Sequence, residues 1–107
     1  NDCVDFSGDI FFINYMMLKN CGDKGISAGE GSIVSLDNGK INQALIGLVA
    51  KDGSTLSVNY AGLYDVDVCL SVYTKKQEYA GGLLKINNID CPSNKYYSQT
   101  GSRIDMP

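Results

Sequence analysis

The sequence predicts a small, mainly β protein with one helix, ordered strand, strand, helix, strand, strand, strand. Such an order closes into a small five-stranded barrel or a strongly curled antiparallel sheet, stapled by disulfides. Three observations carry this reading. Ile41, Ala44, Leu45, Leu48 and Val49 fall at i, i+3, i+4, i+7 and i+8, the spacing of one apolar stripe on a helix. Directly afterwards the period becomes two, with Leu56, Val58 and Tyr60 on one side and Thr55, Ser57 and Asn59 on the other. The third is the presence of 4 cysteines in 107 residues, an even number with no CxxC pair and no histidine to complete a zinc site.

Taken in order, Asp9 to Asn20 is apolar on both alternating sets, Ile10, Phe12, Met16 and Leu18 against Phe11, Ile13, Tyr15 and Met17. It reads as a first strand covered twice, once by the core and once by a neighbouring subunit, or else by a long loop or the tail. Cys21 to Gly31 is glycine-rich and reads as a connection; Lys24 and Ser27 lack the order of a phosphate-binding loop. Ser32 to Leu36 is a second strand. The helix follows, capped by Asp37 or Asn38 and ended by left-handed Gly53 after Asp52. Gly47 within it marks a close approach to a strand.

Ala61 to Asp65 reads as a turn, and Val66, Val68, Leu70 and Val72 then alternate with Asp67, Cys69, Ser71 and Tyr73 in a fourth strand. After the polar loop Thr74 to Gly82, Leu83 to Ile89 forms a fifth. Residues 1–90 are thus expected to make the binding domain. Residues 91–107 make an irregular tail pinned at Cys91, unless Tyr96 and Tyr97 add an edge strand. No internal repeat stands out.

A net charge of −3 with 9 scattered Lys and Arg argues against nucleic acid and against an anionic membrane surface. The absence of histidine removes the usual general base at neutral pH, the commonest metal ligand and every dyad built on them. No metal or other cofactor is expected. Cys3, Cys21, Cys69 and Cys91 imply two bridges in an oxidising compartment, with three pairings open. The start at Asn1, without a hydrophobic run long enough to span a bilayer, fits a mature secreted or periplasmic product.

Three stretches resemble the oligosaccharide-binding-fold B subunits of bacterial AB5 toxins, in particular the subtilase-cytotoxin and pertussis-like branch and its small periplasmic relatives. They are Phe6-Ser7-Gly8-Asp9-Ile10, then Asn42-Gln43-Ala44-Leu45 with Asp52-Gly53 and Val58-Asn59-Tyr60, and finally Asp67-Val68-Cys69. The resemblance implies a receptor-binding, lectin-like subunit working as a homopentamer on a cell-surface glycan, with a catalytic A subunit as a possible partner. It places glycan contacts on Ser7 and Tyr60, with Phe6 and Asp5 beside them. The residue types agree in kind, since Ser7, Asn59 and Tyr60 offer short polar groups and an aromatic face to a sugar. Tryptophan is absent, the cysteine spacing differs from that of the toxin subunits, and residues 91–107 have no counterpart in them.

The expected function is therefore non-enzymatic glycan binding. A disulfide-stapled protein-interaction module, such as an inhibitor, effector or adhesin-like domain using its tyrosine-rich loops, is the alternative. A small hydrolase ranks third, because only carboxylates remain to move protons. Asp65 and Asp67 at i, i+2 are a solvated strand face rather than a calcium or acid–base pair.

Overall fold

The computed structural model describes residues 1–107 and contains strands and turns, with no helix. Eight strands follow in order: β1 (Val4–Ser7), β2 (Ile10–Lys19), β3 (Lys24–Gly29), β4 (Ile33–Lys51), β5 (Thr55–Tyr73), β6 (Leu83–Asp90), β7 (Tyr96–Ser98) and β8 (Arg103–Asp105). Every pairing among them is parallel. A parallel pair cannot be joined by a tight hairpin, so the chain must travel round before it lies beside itself. It does so by coiling. Lys24 pairs with Ile46 and Ile33 pairs with Thr55, so a circuit takes the same length of chain in both places.

The coil has three sides, and the burial pattern shows where it turns. On β4, Val34, Leu36, Gly39, Ile41 and Ala44 are buried, so strict alternation slips once at Asp37–Asn38 and again at Asn42–Gln43. Two successive outward residues on a strand mean a bend. The same slips recur on β5 between Val58 and Ala61 and between Leu63 and Val66. A third corner lies between strands, at Gly8–Asp9, Glu30–Gly31 and Asp52–Gly53. All six of these residues have positive φ, as do Asn20, Gln43 and Asp65 at the second slip. A left-handed residue at the same place in each coil turns the chain without breaking the ladder.

This architecture is a parallel β-solenoid of five rungs, and it corrects the expected barrel with a helix. Ile41 to Val49 is extended within β4, paired to β3 and β5. The helical spacing arises because Ile41 and Ala44 both point inward from either side of a corner, while Leu45 points out to solvent. Asp52–Gly53 is left-handed as expected, but it turns a coil rather than ending a helix. Gly47 is a point of close approach, within a strand: a Cβ there would lie 2.8 Å from the Cys69 carbonyl oxygen. An internal repeat is present after all, since Ile33 and Thr55, like Val34 and Leu56, occupy equivalent places on successive coils. The sheet also runs on past residue 90, where Tyr96–Ser98 pairs with β5 and Arg103–Asp105 with β6.

Inside, aliphatic side chains stack in columns. Val34, Leu56 and Leu84 form one and Ile41 and Leu63 another, all at most 1% exposed. Burying each such side chain contributes about 1.5–3 kcal/mol. The disulfides pair Cys3 with Cys21, in the first coil, and Cys69 with Cys91, between β5 and the segment leading into β7. This selects one of the three open pairings and suits an oxidising, extracellular or periplasmic compartment.

One coil is longer than the others. Thr55 meets its partner only at Leu83, and the additional chain forms the loop at 74–82. Asp52 holds that loop. It is buried, and its Oδ1 accepts the Lys75 and Lys76 backbone N–H groups at 2.7 and 2.8 Å. We expect Asp52→Ala to leave both donors unpaired and to lower stability by about 1–3 kcal/mol in denaturant unfolding. Early proteolytic cleavage within 74–82 is expected alongside.

Candidate functional site

Because side chains alternate, the inward positions of Phe11 and Ile13 on β2 turn Phe12 outward. Register then stacks Phe12 on Ser35, Ser35 on Ser57 and Ser57 on Lys85, a row running along the solenoid axis. Beside it, at the first corner of each coil, lie Asn14, Asp37, Asn59 and Asn87, each flanked by registered neighbours. Asn87 Nδ2 donates to Asn59 Oδ1 at 3.1 Å, and Asn59 Nδ2 donates to Asp37 Oδ1 at 3.2 Å. The amides of Asn59 and Asn87 are thus oriented the same way, toward the carboxylate. Asn88 Nδ2 also donates to the Asn59 carbonyl at 3.3 Å.

Between the two rows runs a groove of about 420 Å³, whose floor includes Leu36 and Val58. At a rung spacing of about 4.8 Å, its four positions extend over about 14 Å. The lining offers two hydroxyls, three amides, one carboxylate, one ammonium and a phenyl ring at one end. Lys85 forms no ion pair. Such a surface suits a hydroxylated ligand lying lengthwise, with donors and acceptors alternating along it.

The residues expected to bind glycan fall in three places. Asn59 lies in the groove. Tyr60 is on the adjoining side, where Gly62 leaves room for two rings: a Cβ on it would be 3.1 Å from Tyr60 Oη and 3.1 Å from the Tyr64 ring. The two hydroxyls are 3.4 Å apart, and Tyr64 Oη donates to Asp90 Oδ2 at 2.9 Å. These bonds, to Tyr60 first and then Asp90, raise the Tyr64 phenol well above its ordinary value.

Asp5, Phe6 and Ser7 are together at the third corner, in a recess of about 190 Å³ shared with Glu30, Lys51, Asp52, Lys75 and Lys76. Ser7 Oγ donates to Glu30, which also takes the Lys76 ammonium. Those two bonds, Lys76 first, hold the Glu30 carboxyl below its usual range. Phe6 packs on Phe11, with ring centroids 4.8 Å apart, so its ring serves the interior. The roles carried to Ser7 and Tyr60 presuppose a barrel in which they are neighbours; in the solenoid they stand at different corners. Asp65 turns the second corner, and no group of three or more acidic, cysteine or histidine side chains gathers to hold a metal.

Ser35, Lys85 and Asn87 carry no role in the sequence pattern, and Asp37 enters it only as the cap of a helix that is instead part of β4. For Ser35 and Asp37 the signal is one common separation, shared by Ser35 and Ser57, by Asp37 and Asn59, and by Glu30-Gly31 and Asp52-Gly53; Lys85 and Asn87 lie on the longer coil and fall outside it. Fold and groove together define the class, a small disulfide-bonded parallel β-solenoid with a polar channel along one corner. Compared with protein-family models, curated proteins and solved structures, the chain matches none.

The raised Tyr64 pKa has a definite sign. Its protonated hydroxyl stabilises the fold below the phenol's unfolded value, and that contribution is lost as pH climbs from there through the folded value. In a spectrophotometric titration of the folded protein, Tyr64 and Tyr73, whose phenol is raised by burial, should ionise after the others. Tyr64→Phe should remove one of the two late steps and leave that of Tyr73.

Proposed function

We propose that the protein binds glycan chains without transforming them, along the groove between Phe12–Ser35–Ser57–Lys85 and Asn14–Asp37–Asn59–Asn87. The observation that carries the reading is the amide ladder. Asn87 and Asn59 are fixed by their neighbours, so they offer preset partners to ligand hydroxyls with little ordering cost. Ser35 and Ser57 are small enough to leave the floor open, and Phe12 gives the apolar face of a sugar ring something to rest on. Asp37 is the one carboxylate in the lining, whereas glycoside hydrolysis uses two flanking the scissile bond. That asymmetry supports binding without turnover. The glycan ligand expected from the sequence is kept and moved to a different surface; the toxin resemblance, which lost the helix it rested on, contributes nothing to it.

The test is a glycan array followed by calorimetric titration of the best oligosaccharide. Asn59→Ala, which removes one bond to ligand and frees Asn87, should weaken binding about 3–10-fold. Ser57→Trp, which fills the groove from an outward position, should abolish it, and Ser7→Ala at the distant recess should leave it unchanged. An array with no ligand, or a Ser57→Trp variant that binds like the parent, would overturn the proposal.

A further inference from the structure

The two ends of the solenoid are built differently. At the far end, the last strands β7 and β8 are only 3 residues each; β8 carries Arg103 and Asp105, joined by a salt bridge, while β7 is uncharged and exposes Tyr96 and Tyr97. Edges this short, with charges on β8, discourage further pairing. At the near end, β2 is 10 residues long and pairs on one side only, with β4, as β1 does with β3. Its single charge is Lys19. The outward side chains Ile10, Phe12, Tyr15 and Met17 are 56, 82, 52 and 53% exposed. The inward ones, Phe11, Ile13, Met16 and Leu18, are only partly covered, whereas Val34, Leu36 and Ile41 one rung on are at most 3% exposed. β2 therefore presents an unpaired edge together with inward side chains that the coil-on-coil contact covers from one side only.

The pattern on β2 identifies what fits there. From Ile10 to Lys19 it alternates outward and inward, slips at Asn14–Tyr15, and reads the same in both directions. A copy of β2 laid antiparallel, about a two-fold axis between Asn14 and Tyr15, sets inward against inward and outward against outward along the full strand. Phe11 then faces Leu18 of the partner subunit, and Ile13 faces Met16 of the partner subunit. Outside, Phe12 meets Met17 of the partner subunit, a favourable ring–sulfur pair. Lys19 of the partner subunit comes beside Asp9, which supplies the opposite charge. The same axis passes through the corner and the middle of the opposite side, so the three-sided section maps onto itself and β1 lies along β1 of the partner subunit.

We propose that this end is a dimer interface, two copies joined face to face through antiparallel β2 strands. Such a contact is isologous and closes on itself, and the short strands of the far end give little edge on which the pair could grow into a fibre. The interface shares one side chain, Phe12, with the glycan groove, but rests on the open edge of β2 rather than on the amide ladder.

Light scattering on the disulfide-intact protein, over a range of concentrations, should give twice the mass of the 11.5 kDa chain. Phe12→Lys combined with Met17→Lys sets like charges across the axis at positions that point away from the core, and should give a monomer with an unchanged far-UV spectrum. Hydrogen exchange on the parent protein needs no variant: β2 amides should be protected at high concentration and lose that protection on dilution. A parent protein that is monomeric throughout, an assembly larger than a dimer, or a dimer that the double substitution leaves intact would overturn the inference.

Discussion

Everything in this molecule depends on register between successive coils. A parallel rung is satisfied only if the chain returns to the same position after each circuit, with its inward side chains above those of the coil before. The interior columns, the stacked left-handed corners and the row of asparagines are consequences of that one requirement. Where a coil differs in length, the difference has to be absorbed outside the ladder. The loop at 74–82 does this, and buried Asp52 holds its start by accepting two backbone donors.

The same constraint explains why a polar groove exists at all. At a corner the alternation slips, so one side chain per coil is turned out beside the outward row of the adjoining side. In Asn14, Asp37, Asn59 and Asn87 that side chain is short and polar, and short amides can reach one another across a rung while still lining open space. A longer or apolar residue there would cover the channel or leave its neighbour without a partner. The groove is therefore a by-product of how the chain bends, given chemical character by four residue choices.

Strand content, the disulfides and the left-handed turn at Asp52–Gly53 were legible in the sequence; the coil was not. The misreading at Ile41 to Val49 has a specific cause. A bend at Asn42–Gln43 places Ile41 and Ala44 on the same side, three positions apart, and three is also a helical step. Turn signals such as Glu30-Gly31 and Asp52-Gly53 do repeat at the length of one coil. The period is blurred at both ends, however, because the step from Ile10 to Ile33 is slightly longer and that from Thr55 to Leu83 much longer. Asn59 could be reached as a polar residue on an exposed strand face. Its companions Asp37 and Asn87 could not, because only the coil brings them within reach of it.

The placement of the two cystines bears on how such a stack comes apart. In a one-dimensional array each layer is held by its immediate neighbours, so melting begins at the termini, where a layer has one neighbour instead of two. Cys3–Cys21 clasps the opening circuit and Cys69–Cys91 the closing one, while the two long central strands carry no crosslink between them. Covalent reinforcement is thus spent where unzipping would start, and under reducing conditions the molecule should fray inward from both extremities, with β4 and the first half of β5 the last to lose order.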